Sequence, residues 1–289
     1  MVTIENEFLR VSIRAKGAEM TSIFNKATGV EHLWQAAANI WGWHAPNLFP
    51  VVGGCINDEI QIDGKSYPMN RHGFARTSIF TLVDSTETHA KFSLKHSEET
   101  LSVYPYKFAF QVLYDLFDSE LRVSYKVINY DEGTIYFSVG AHPAFNVPFY
   151  KDEAYEDYVL EFEEEEELEK HLLSEKGLFN GTTESVTMEA KQLALTADLF
   201  AKDALVFKNL SSQSITIKSK NHNHSLKVHY PQFNYMGIWA KCGAPFVCIE
   251  PWLGCADSID KITELRDKEA IHALEHGHVF EVDFSIVVN

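Results

Sequence analysis

Regular alternation of apolar and polar residues is the feature that most restricts the fold of this chain. In residues 121–127 every second side chain is apolar, and the side chains between them belong to Arg122, Ser124 and Lys126. The same period of two recurs in segments near residues 92–96, 215–217, 226–230 and 280–286. Successive side chains of a strand point to opposite faces, so this pattern indicates antiparallel strands with one buried and one solvated face.

Turn-forming residues separate these segments, and long amphipathic helices are scarce. The turn signals are Asp63-Gly64, Asp131-Glu132-Gly133, Asn180-Gly181 and His276-Gly277. The best helix candidate covers Asp260 to Leu274, whose apolar residues fit helical spacing only in part. Strands do not alternate with helices, which disfavours a doubly wound nucleotide-binding sheet. We therefore predict an all-β fold, a large antiparallel β-sandwich with few short helices, in a single domain over residues 1–289.

The charge balance restricts the partners of the chain. It has 25 Lys and Arg against 41 Asp and Glu, a net charge of −16. We therefore expect no nucleic acid partner, because phosphate binding needs an excess of basic residues along one face. No stretch approaches the roughly 20 apolar residues of a membrane span, so no membrane partner is expected either. The acidic run over residues 161–170 is expected to be a solvated strand edge or connection.

The N-terminal residues and the cysteines predict a cytoplasmic protein. The first residues carry charges at Glu5, Glu7 and Arg10, where a signal peptide would need an apolar segment, and they are typical of a strand. The cysteines lack the CxxC spacing of a zinc or redox site, so we expect them to be reduced thiols. They are Cys55, Cys242, Cys248 and Cys255.

Common catalytic and cofactor motifs do not occur in this chain. It has no GxxxxGK[ST], no GxGxxG after a strand, no HExxH and no GxSxG. Two histidine clusters are candidate metal ligands, but polar flanking residues favour exposed turns, and we expect no bound metal. Their members are His222, His224 and His229 in one and His272, His276 and His278 in the other.

Three other segments hold titratable residues in apolar or turn-forming surroundings: residues 69–76, 139–146 and 246–252. Glu250 follows an apolar run, and we expect Pro251 to end that strand because proline lacks a ladder donor. His142 follows the apolar residues 135–139 in the same way. A buried carboxylate must be hydrogen-bonded or carry a shifted pKa. Each group alone can be a structural polar residue, but together they predict one cleft with a carboxylate base and an imidazole acid.

An ordered set of short segments resembles the aldose 1-epimerase (galactose mutarotase) superfamily, and is closest to its LacX-like branch. The segments are Gly17-Ala18-Glu19, Glu31-His32-Leu33-Trp34, Trp41, residues 47–53 (NLFPVVG), residues 72–76 (HGFAR), residues 140–145 (GAHPAF) and residues 249–257 (IEPWLGCAD). The resemblance runs almost end to end. It implies an antiparallel supersandwich with an open cleft and cofactor-free interconversion of sugar anomers.

The resemblance also implies roles for individual residues. Glu250 matches the catalytic base by its Glu-Pro step, and His142 matches the histidine acid that precedes an aromatic-Asn pair. His72 matches the second active-site histidine, near the sugar ring oxygen. Asp203 matches an acidic residue that binds sugar hydroxyls, in the least specific of these alignments. Trp252 and Phe145 are candidates for an apolar sugar platform, with core packing as the alternative.

One position departs from the galactose-type pattern. Those enzymes have an arginine after the glycine that corresponds to Gly53, whereas this chain has Gly54. Arg71 or Arg76, on either side of His72, can replace the missing guanidinium or bind a phosphate of the substrate. The alternative for Arg76 is an ion pair with a buried carboxylate.

We therefore expect an isomerase of the aldose 1-epimerase type that acts on a hexose without metal or cofactor, as a monomer or homodimer. A hexose-6-phosphate 1-epimerase is the first alternative, since arginines flank His72. A non-catalytic carbohydrate-binding protein is the second, and Gly54 supports it. A glycoside hydrolase is the third, and it requires Glu250 and Asp203 to face each other across a sugar.

Overall fold

The computed structural model describes residues 1–289, and nearly all of its regular structure is β-strand. The first twelve strands are β1 (Val2–Glu5), β2 (Leu9–Ile13), β3 (Met20–Asn25), β4 (Asn47–Leu48), β5 (Glu59–Ile62), β6 (Lys65–Pro68), β7 (Thr81–Ser85), β8 (His89–Lys95), β9 (Phe108–Phe117), β10 (Glu120–Asn129), β11 (Ile135–Phe137) and β12 (Val139–Ala141). The others are β13 (Ala144–Asn146), β14 (Tyr158–Phe162), β15 (Glu169–Leu173), β16 (Phe179–Ser185), β17 (Gln192–Ala194), β18 (Leu205–Lys208), β19 (Ser214–Ser219), β20 (Ser225–His229), β21 (Tyr235–Trp239), β22 (Phe246–Leu253), β23 (His272–Leu274) and β24 (Val279–Val288).

Helical structure is limited to one short α-helix and four 3₁₀ turns. The helix is α1 (Glu98–Val103), and the turns are Ile56–Asp58, Ala75–Thr77, Tyr155–Asp157 and Leu265–Asp267. The Ser97 hydroxyl caps α1 by accepting from the Thr100 N–H, while the Thr100 hydroxyl accepts from the Ser97 N–H at 2.8 Å. No helix of the chain is long and apolar enough to cross a membrane.

Two large antiparallel sheets form the body of the protein. One has nine strands in the order β17-β14-β19-β20-β24-β10-β9-β8-β7. The other has eight strands, seven in the order β16-β15-β18-β21-β22-β12-β4, with β13 paired to β22 beside β12. Small sheets β1-β2-β3, β11-β23 and β5-β6 complete the fold. This arrangement confirms the predicted all-β class and antiparallel pairing.

The alternating residues of β10 face the interior between the large sheets. Val123, Tyr125 and Val127 are almost fully buried, as their spacing predicts, and they belong to a core of 70 residues. The Tyr125 hydroxyl donates to the side-chain oxygen of Asn47 at 2.8 Å, which joins the nine-stranded sheet to β4 of the other sheet. This buried hydrogen bond satisfies both polar groups in an otherwise apolar layer. The assignment of the whole chain to one domain stays a prediction.

The candidate helix over Asp260 to Leu274 does not form. The segment holds only the 3₁₀ turn Leu265–Asp267 and strand β23, which pairs with β11. Ile262, one of the apolar residues of the helical pattern, is 58% exposed, and Ala270 has φ of +58°, outside the right-handed helical region. Pairing of β23 with β11 therefore decides the local structure.

The turn signals are confirmed in three places and wrong in one. Asp63-Gly64 joins β5 to β6, Asp131-Glu132-Gly133 joins β10 to β11, and His276-Gly277 joins β23 to β24. Asn180-Gly181 lies inside β16, which pairs with β15 across a register shift. A glycine with positive φ inside a strand is typical of a bulge, so the same dipeptide here bends a strand without reversing it.

The acidic run is a solvated connection, as predicted. Residues 163–165 are exposed between β14 of the nine-stranded sheet and β15 of the eight-stranded sheet. Phe162 and Leu168 are buried at either side of them. The run therefore crosses the edge of the sandwich with its carboxylates in water and two apolar anchors in the core.

Candidate active site

One cavity of about 340 Å³ contains all six residues that the sequence singled out for function. They are Arg71, His72, Arg76, His142, Asp203 and Glu250. The volume lies in the range of small-molecule sites. Residues that are far apart in the chain therefore meet at one place, as predicted.

The cavity lies on the outer face of the eight-stranded sheet. In β18, Leu205 and Phe207 belong to the core of the sandwich, whereas Val206 points to the opposite face and lines the cavity. Val206 belongs to a separate cluster of eight buried residues, which also contains Trp252. The sheet thus uses one face for stability and its other face as the base of the cavity.

A local break in one ladder brings His142 and Glu250 together. Along one edge of β22, β13 pairs with residues 246–248 and β12 pairs with residues 252–253. Between β12 and β13 the chain leaves the ladder for His142 and Pro143, opposite the unpaired stretch that contains Glu250. The prediction that Pro251 ends its strand is therefore wrong, because β22 continues to Leu253. Pro251 lies in the stretch that pairs with neither β12 nor β13, so no backbone N–H donor is needed there.

The imidazole and the carboxylate are in direct contact. Nε2 of His142 lies 3.3 Å from Oε2 of Glu250, and their side chains are only 11% and 2% exposed. Burial raises the pKa of Glu250 well above its usual range, with a smaller contribution from the charge of Asp203. Burial also lowers the pKa of His142 to about 3, assisted by the charge of Arg76. Both pKa shifts favour the uncharged forms, a protonated Glu250 and a neutral His142. The pair therefore holds one proton, and transfer of that proton from Glu250 to His142 produces a carboxylate and an imidazolium.

His72 presents a defined donor to the cavity. Its ring Nδ1 accepts from the Gly53 N–H at 3.1 Å, and its backbone N–H donates to the Gly53 carbonyl at 2.9 Å. Burial holds the pKa of His72 well below its usual value, with a further contribution from His142. A neutral ring that accepts at Nδ1 carries its proton on Nε2. His72 is therefore a hydrogen-bond donor at neutral pH.

The two arginines form a cationic rim without a carboxylate partner. Nη2 of Arg71 donates to the Lys176 carbonyl at 2.6 Å, and Nη2 of Arg76 donates to the Arg71 carbonyl at 2.8 Å. The guanidinium of Arg76 also lies 5.5 Å from the ring centre of Trp43. Burial lowers the pKa of Arg76, and the charge of Arg71 lowers it further. The alternative that Arg76 pairs with a buried carboxylate is therefore wrong.

The geometry around Gly54 explains the departure from the galactose-type pattern. A Cβ at this position would lie 3.1 Å from Cδ2 of Leu178 and 3.3 Å from the Lys176 carbonyl oxygen. The same Lys176 carbonyl holds the guanidinium of Arg71. A side chain at position 54 would therefore need these neighbours to move by a few tenths of an ångström, whereas Arg71 already brings a guanidinium to this part of the cavity.

Three tryptophans line the cavity, and sequence reasoning placed only one of them there. Trp41 stacks on His142 with ring centres 4.9 Å apart, and Trp239 lies nearly perpendicular to the same imidazole with ring centres 6.0 Å apart. Trp252 also lines the cavity, as the platform hypothesis requires. Phe145 is fully buried in the core, so it packs and does not face a ligand. Trp239 ends an ordinary strand, and no local sequence signal distinguishes it.

Glycines opposite Trp252 allow its indole to lie flat on the sheet. A Cβ on Gly237 would lie 2.6 Å from Cζ2 of the indole, and a Cβ on Gly140 would lie 2.7 Å from Cδ1. Gly237 is the direct neighbour of Glu250 in the β21–β22 ladder, and Gly140 is the neighbour of Trp252 in the β12–β22 ladder. Side chains at either position would push the ring into the cavity.

Glu19 supports the segment that positions His142. Its carboxylate is fully buried and accepts from the N–H groups of His44 and Ala45 at 2.7 and 3.0 Å, and it also pairs with Arg14. The next carbonyl, of Pro46, accepts from the His142 N–H at 3.1 Å. Burial raises the pKa of Glu19, while the hydrogen bonds and Arg14 lower it. This residue is one of the marks of the family resemblance, but its supporting role was not predicted.

The histidine clusters lie outside the cavity. His222 pairs with Glu153 at 3.2 Å, and Nδ1 of His224 lies 3.0 Å from the Tyr150 hydroxyl, while His229 is exposed at the end of β20. In the second cluster, His272 stacks on Phe137 with ring centres 5.7 Å apart. These contacts give the side chains structural partners.

Comparison with known families agrees with this geometry. The model of the family described as aldose 1-epimerase matches residues 1–262. This chain belongs to the aldose 1-epimerase family. It is 35% identical over 279 residues to the plasmid and the chromosomal LacX proteins of Lactococcus lactis subsp. lactis, and the match covers 93% of this chain and 93% of each of them. The predicted resemblance is confirmed.

Solved structures of aldose 1-epimerase relatives share the whole fold. A galactose mutarotase related enzyme from Lactobacillus acidophilus superposes with a TM-score of 0.95 at 34% identity, over 100% of this chain and 97% of that chain. A galactose mutarotase-like protein from Lactobacillus casei gives 0.94 at 32% identity, over 100% of both chains. Membership of this family supports an epimerase that acts on a carbohydrate.

Proposed function

We propose that the protein interconverts the α and β anomers of a hexose by general acid–base catalysis. The observation that supports this most is the 3.3 Å contact of His142 with Glu250 at the base of a cavity of sugar-binding size. In a pyranose, the C1 hydroxyl and the ring oxygen are bonded to the same carbon. A base and an acid that serve these two oxygens must therefore lie side by side, as Glu250 and His142 do.

In the proposed reaction, the carboxylate of Glu250 removes the proton of the C1 hydroxyl while the imidazolium of His142 donates a proton to the ring oxygen. The C1–O5 bond breaks as the C1 carbonyl forms. Rotation about C1–C2 presents the other face of the aldehyde, and the reverse proton transfers close the ring. The raised pKa of Glu250 makes it a stronger base, and the lowered pKa of His142 makes its protonated form a stronger acid.

The other residues of the cavity have binding roles in this proposal. His72 donates from Nε2 to a sugar oxygen near the reacting carbon, which fits its neutral state and fixed tautomer. Asp203 lines the same cavity and accepts from sugar hydroxyls. Trp41 and Trp252 contact the apolar faces of the ring. These contacts orient C1 toward the catalytic pair.

The test is anomer exchange of glucose and galactose, followed by polarimetry and by NMR exchange. Glu250→Gln keeps the volume of the side chain but removes the base, and His142→Asn removes the acid. Each substitution should lower kcat by about 10²–10⁴-fold, the usual contribution of a positioned acid or base. Glu87→Gln and His229→Asn, at exposed positions, are the matched controls. Full turnover in Glu250→Gln would refute the mechanism, and sugar binding without exchange by the unmodified protein would favour a binding protein.

A second candidate function is epimerisation of a hexose 6-phosphate. The supporting observation is the pair Arg71 and Arg76, whose guanidinium groups face the cavity and hydrogen-bond only to backbone carbonyls. Two neighbouring cations that lack a carboxylate favour an anionic ligand, and guanidinium groups bind phosphate in a bidentate manner. The chemistry at C1 would be the same.

Comparison of kcat/KM for free hexoses and their 6-phosphates decides between the two substrates. If phosphate binds the rim, Arg76→Ala should raise KM for the phosphorylated sugar by about tenfold or more, since a charge-assisted hydrogen bond contributes about 1.5–3 kcal/mol. It should leave KM for the free sugar nearly unchanged. Arg122→Ala, at an exposed position of β10, is the matched control. An equal effect of Arg76→Ala on both sugars would exclude a phosphate site at this rim.

A further inference from the structure

Cys248 lies behind the catalytic pair and has no part in the proposed reaction. It is fully buried and stands two residues before Glu250 in β22, so the two side chains share one face of the strand. Its neighbours in the ladders are Ala144 and Trp239. The chain therefore places a buried thiol next to an imidazole and a carboxylate that line the cavity.

The three side chains offer a nitrogen, a sulfur and an oxygen at short range. A ring nitrogen of His142, Sγ of Cys248 and a carboxylate oxygen of Glu250 all lie within 4.8 Å of one another. Oε2 of Glu250 is buried and makes no hydrogen bond of standard geometry, and its ion-pair contact is Nε2 of His142 at 3.3 Å. A buried carboxylate oxygen without a well-formed hydrogen bond is unfavourable, so a cation at this place would relieve an energetic cost.

The separations suit a tetrahedral ion. Zinc bonds of about 2.0–2.1 Å to nitrogen and oxygen place those two atoms about 3.3 Å apart, and a bond of about 2.3 Å to sulfur places the sulfur about 3.6 Å from either. Nε2 of His142 and Oε2 of Glu250 are already 3.3 Å apart. Sulfur at no more than 4.8 Å needs to approach by at most about 1.2 Å (4.8 − 3.6). Because His142 and Glu250 line the cavity, the fourth position of such an ion would be open to the cavity in this proposal.

We propose that His142, Cys248 and Glu250 form a site for a thiophilic divalent cation such as Zn²⁺, and that its occupation blocks the catalytic pair. On binding, the Cys248 thiol and the His142–Glu250 pair each release one proton to solvent, and a sulfur–metal bond forms with no change of oxidation state. One thiolate and one carboxylate balance the two charges of the ion, so the buried site becomes neutral. Nitrogen and sulfur donors favour zinc over magnesium or calcium.

Cobalt(II) is the direct probe of this site, because a cobalt–thiolate bond gives a charge-transfer absorption in the near ultraviolet. We expect the purified, metal-free protein to develop this absorption at one equivalent of Co²⁺ and to lose it on addition of Zn²⁺. Cys248→Ser should abolish the absorption, whereas Cys242→Ser, at an exposed cysteine, should retain it. Circular dichroism checks that each variant is folded. The same absorption in folded Cys248→Ser, or none in the unmodified protein, would overturn the site.

Inhibition is the second measurement, and this part rests on the proposed epimerase function. Zn²⁺ should inhibit anomer exchange competitively with the sugar, and Cys248→Ser should be at least about tenfold less sensitive relative to its own metal-free rate. Cobalt absorption without any epimerase activity would support the metal site and refute the proposed function. Epimerase activity without cobalt absorption would support the proposed function and refute the metal site.

Discussion

The contact between Gly237 and the Trp252 indole gives a sharp test of the architecture of the cavity. In Gly237→Ala, the new methyl carbon would lie 2.6 Å from Cζ2 and 2.7 Å from Cη2 of the indole. Ordinary contact begins at 3.4 Å, so the ring must shift by about 0.8 Å (3.4 − 2.6). Overpacking of this kind costs about 1–3 kcal/mol of folding free energy. Because Trp252 lines the cavity, its shift should also raise KM for the sugar severalfold.

Two measurements check this prediction. Thermal unfolding should show a Tm lower by about 2–4 °C for each kcal/mol lost, and anomer-exchange kinetics should show the higher KM. Gly133→Ala is the matched control, because a Cβ there meets nothing within 4 Å and its backbone conformation is not left-handed. If Gly237→Ala and Gly133→Ala had the same Tm and the same KM, the description of the indole as packed flat on Gly237 would be wrong.

Three further predictions concern buried or capping groups. Burial lowers the pKa of His32 to about 3, so below pH 6.5 the unfolded chain binds a proton that the folded chain does not. Lowering the pH from 7.5 to 5 should therefore reduce the unfolding free energy of the unmodified protein by about 2 kcal/mol more than that of His32→Phe, as measured by urea titration. Asp203→Asn removes a charge that raises the pKa of Glu250, so the acid limb of the kcat/KM profile for anomer exchange should move to lower pH. Ser97→Ala removes the cap of α1 and should cost about 1 kcal/mol of stability in the same titrations.

Each of these predictions has a clear contradiction. An equal loss of stability at pH 5 in His32→Phe and the unmodified protein would mean that His32 takes up its proton in the folded state. An unmoved acid limb in Asp203→Asn would remove Asp203 from the electrostatic environment of Glu250. An unchanged urea midpoint in Ser97→Ala would show that tertiary packing alone holds α1.

The sequence predicts the fold correctly where one face of a strand is exposed to solvent and the other face is buried. The alternation in β10 predicts its buried residues because each side chain has a single environment. It fails at Asp260 to Leu274, where pairing with β11 outweighs a weak helical pattern, and at Pro251, where the missing donor matters only if the adjacent edge is paired. These outcomes depend on distant partners, which a local pattern does not contain.

For the candidate site, the residue types were predictable but their arrangement was not. Glu250 stands out as a carboxylate in an apolar strand, and its place in the cavity agrees with the prediction. Trp239 and Cys248 look like ordinary strand residues, and only the packing of β21 and β22 brings them near His142. The chemical roles of these groups stay predictions.

The short connection between β12 and β13 fixes the distance between His142 and Glu250. Only His142 and Pro143 span it, and paired backbone holds both of its ends. Inserting or deleting one residue would displace the imidazole by about 3.3 Å, the rise of one strand residue, which equals its present distance from Glu250. A change in the length of this connection would therefore separate the imidazole from Glu250 even if every side chain were kept.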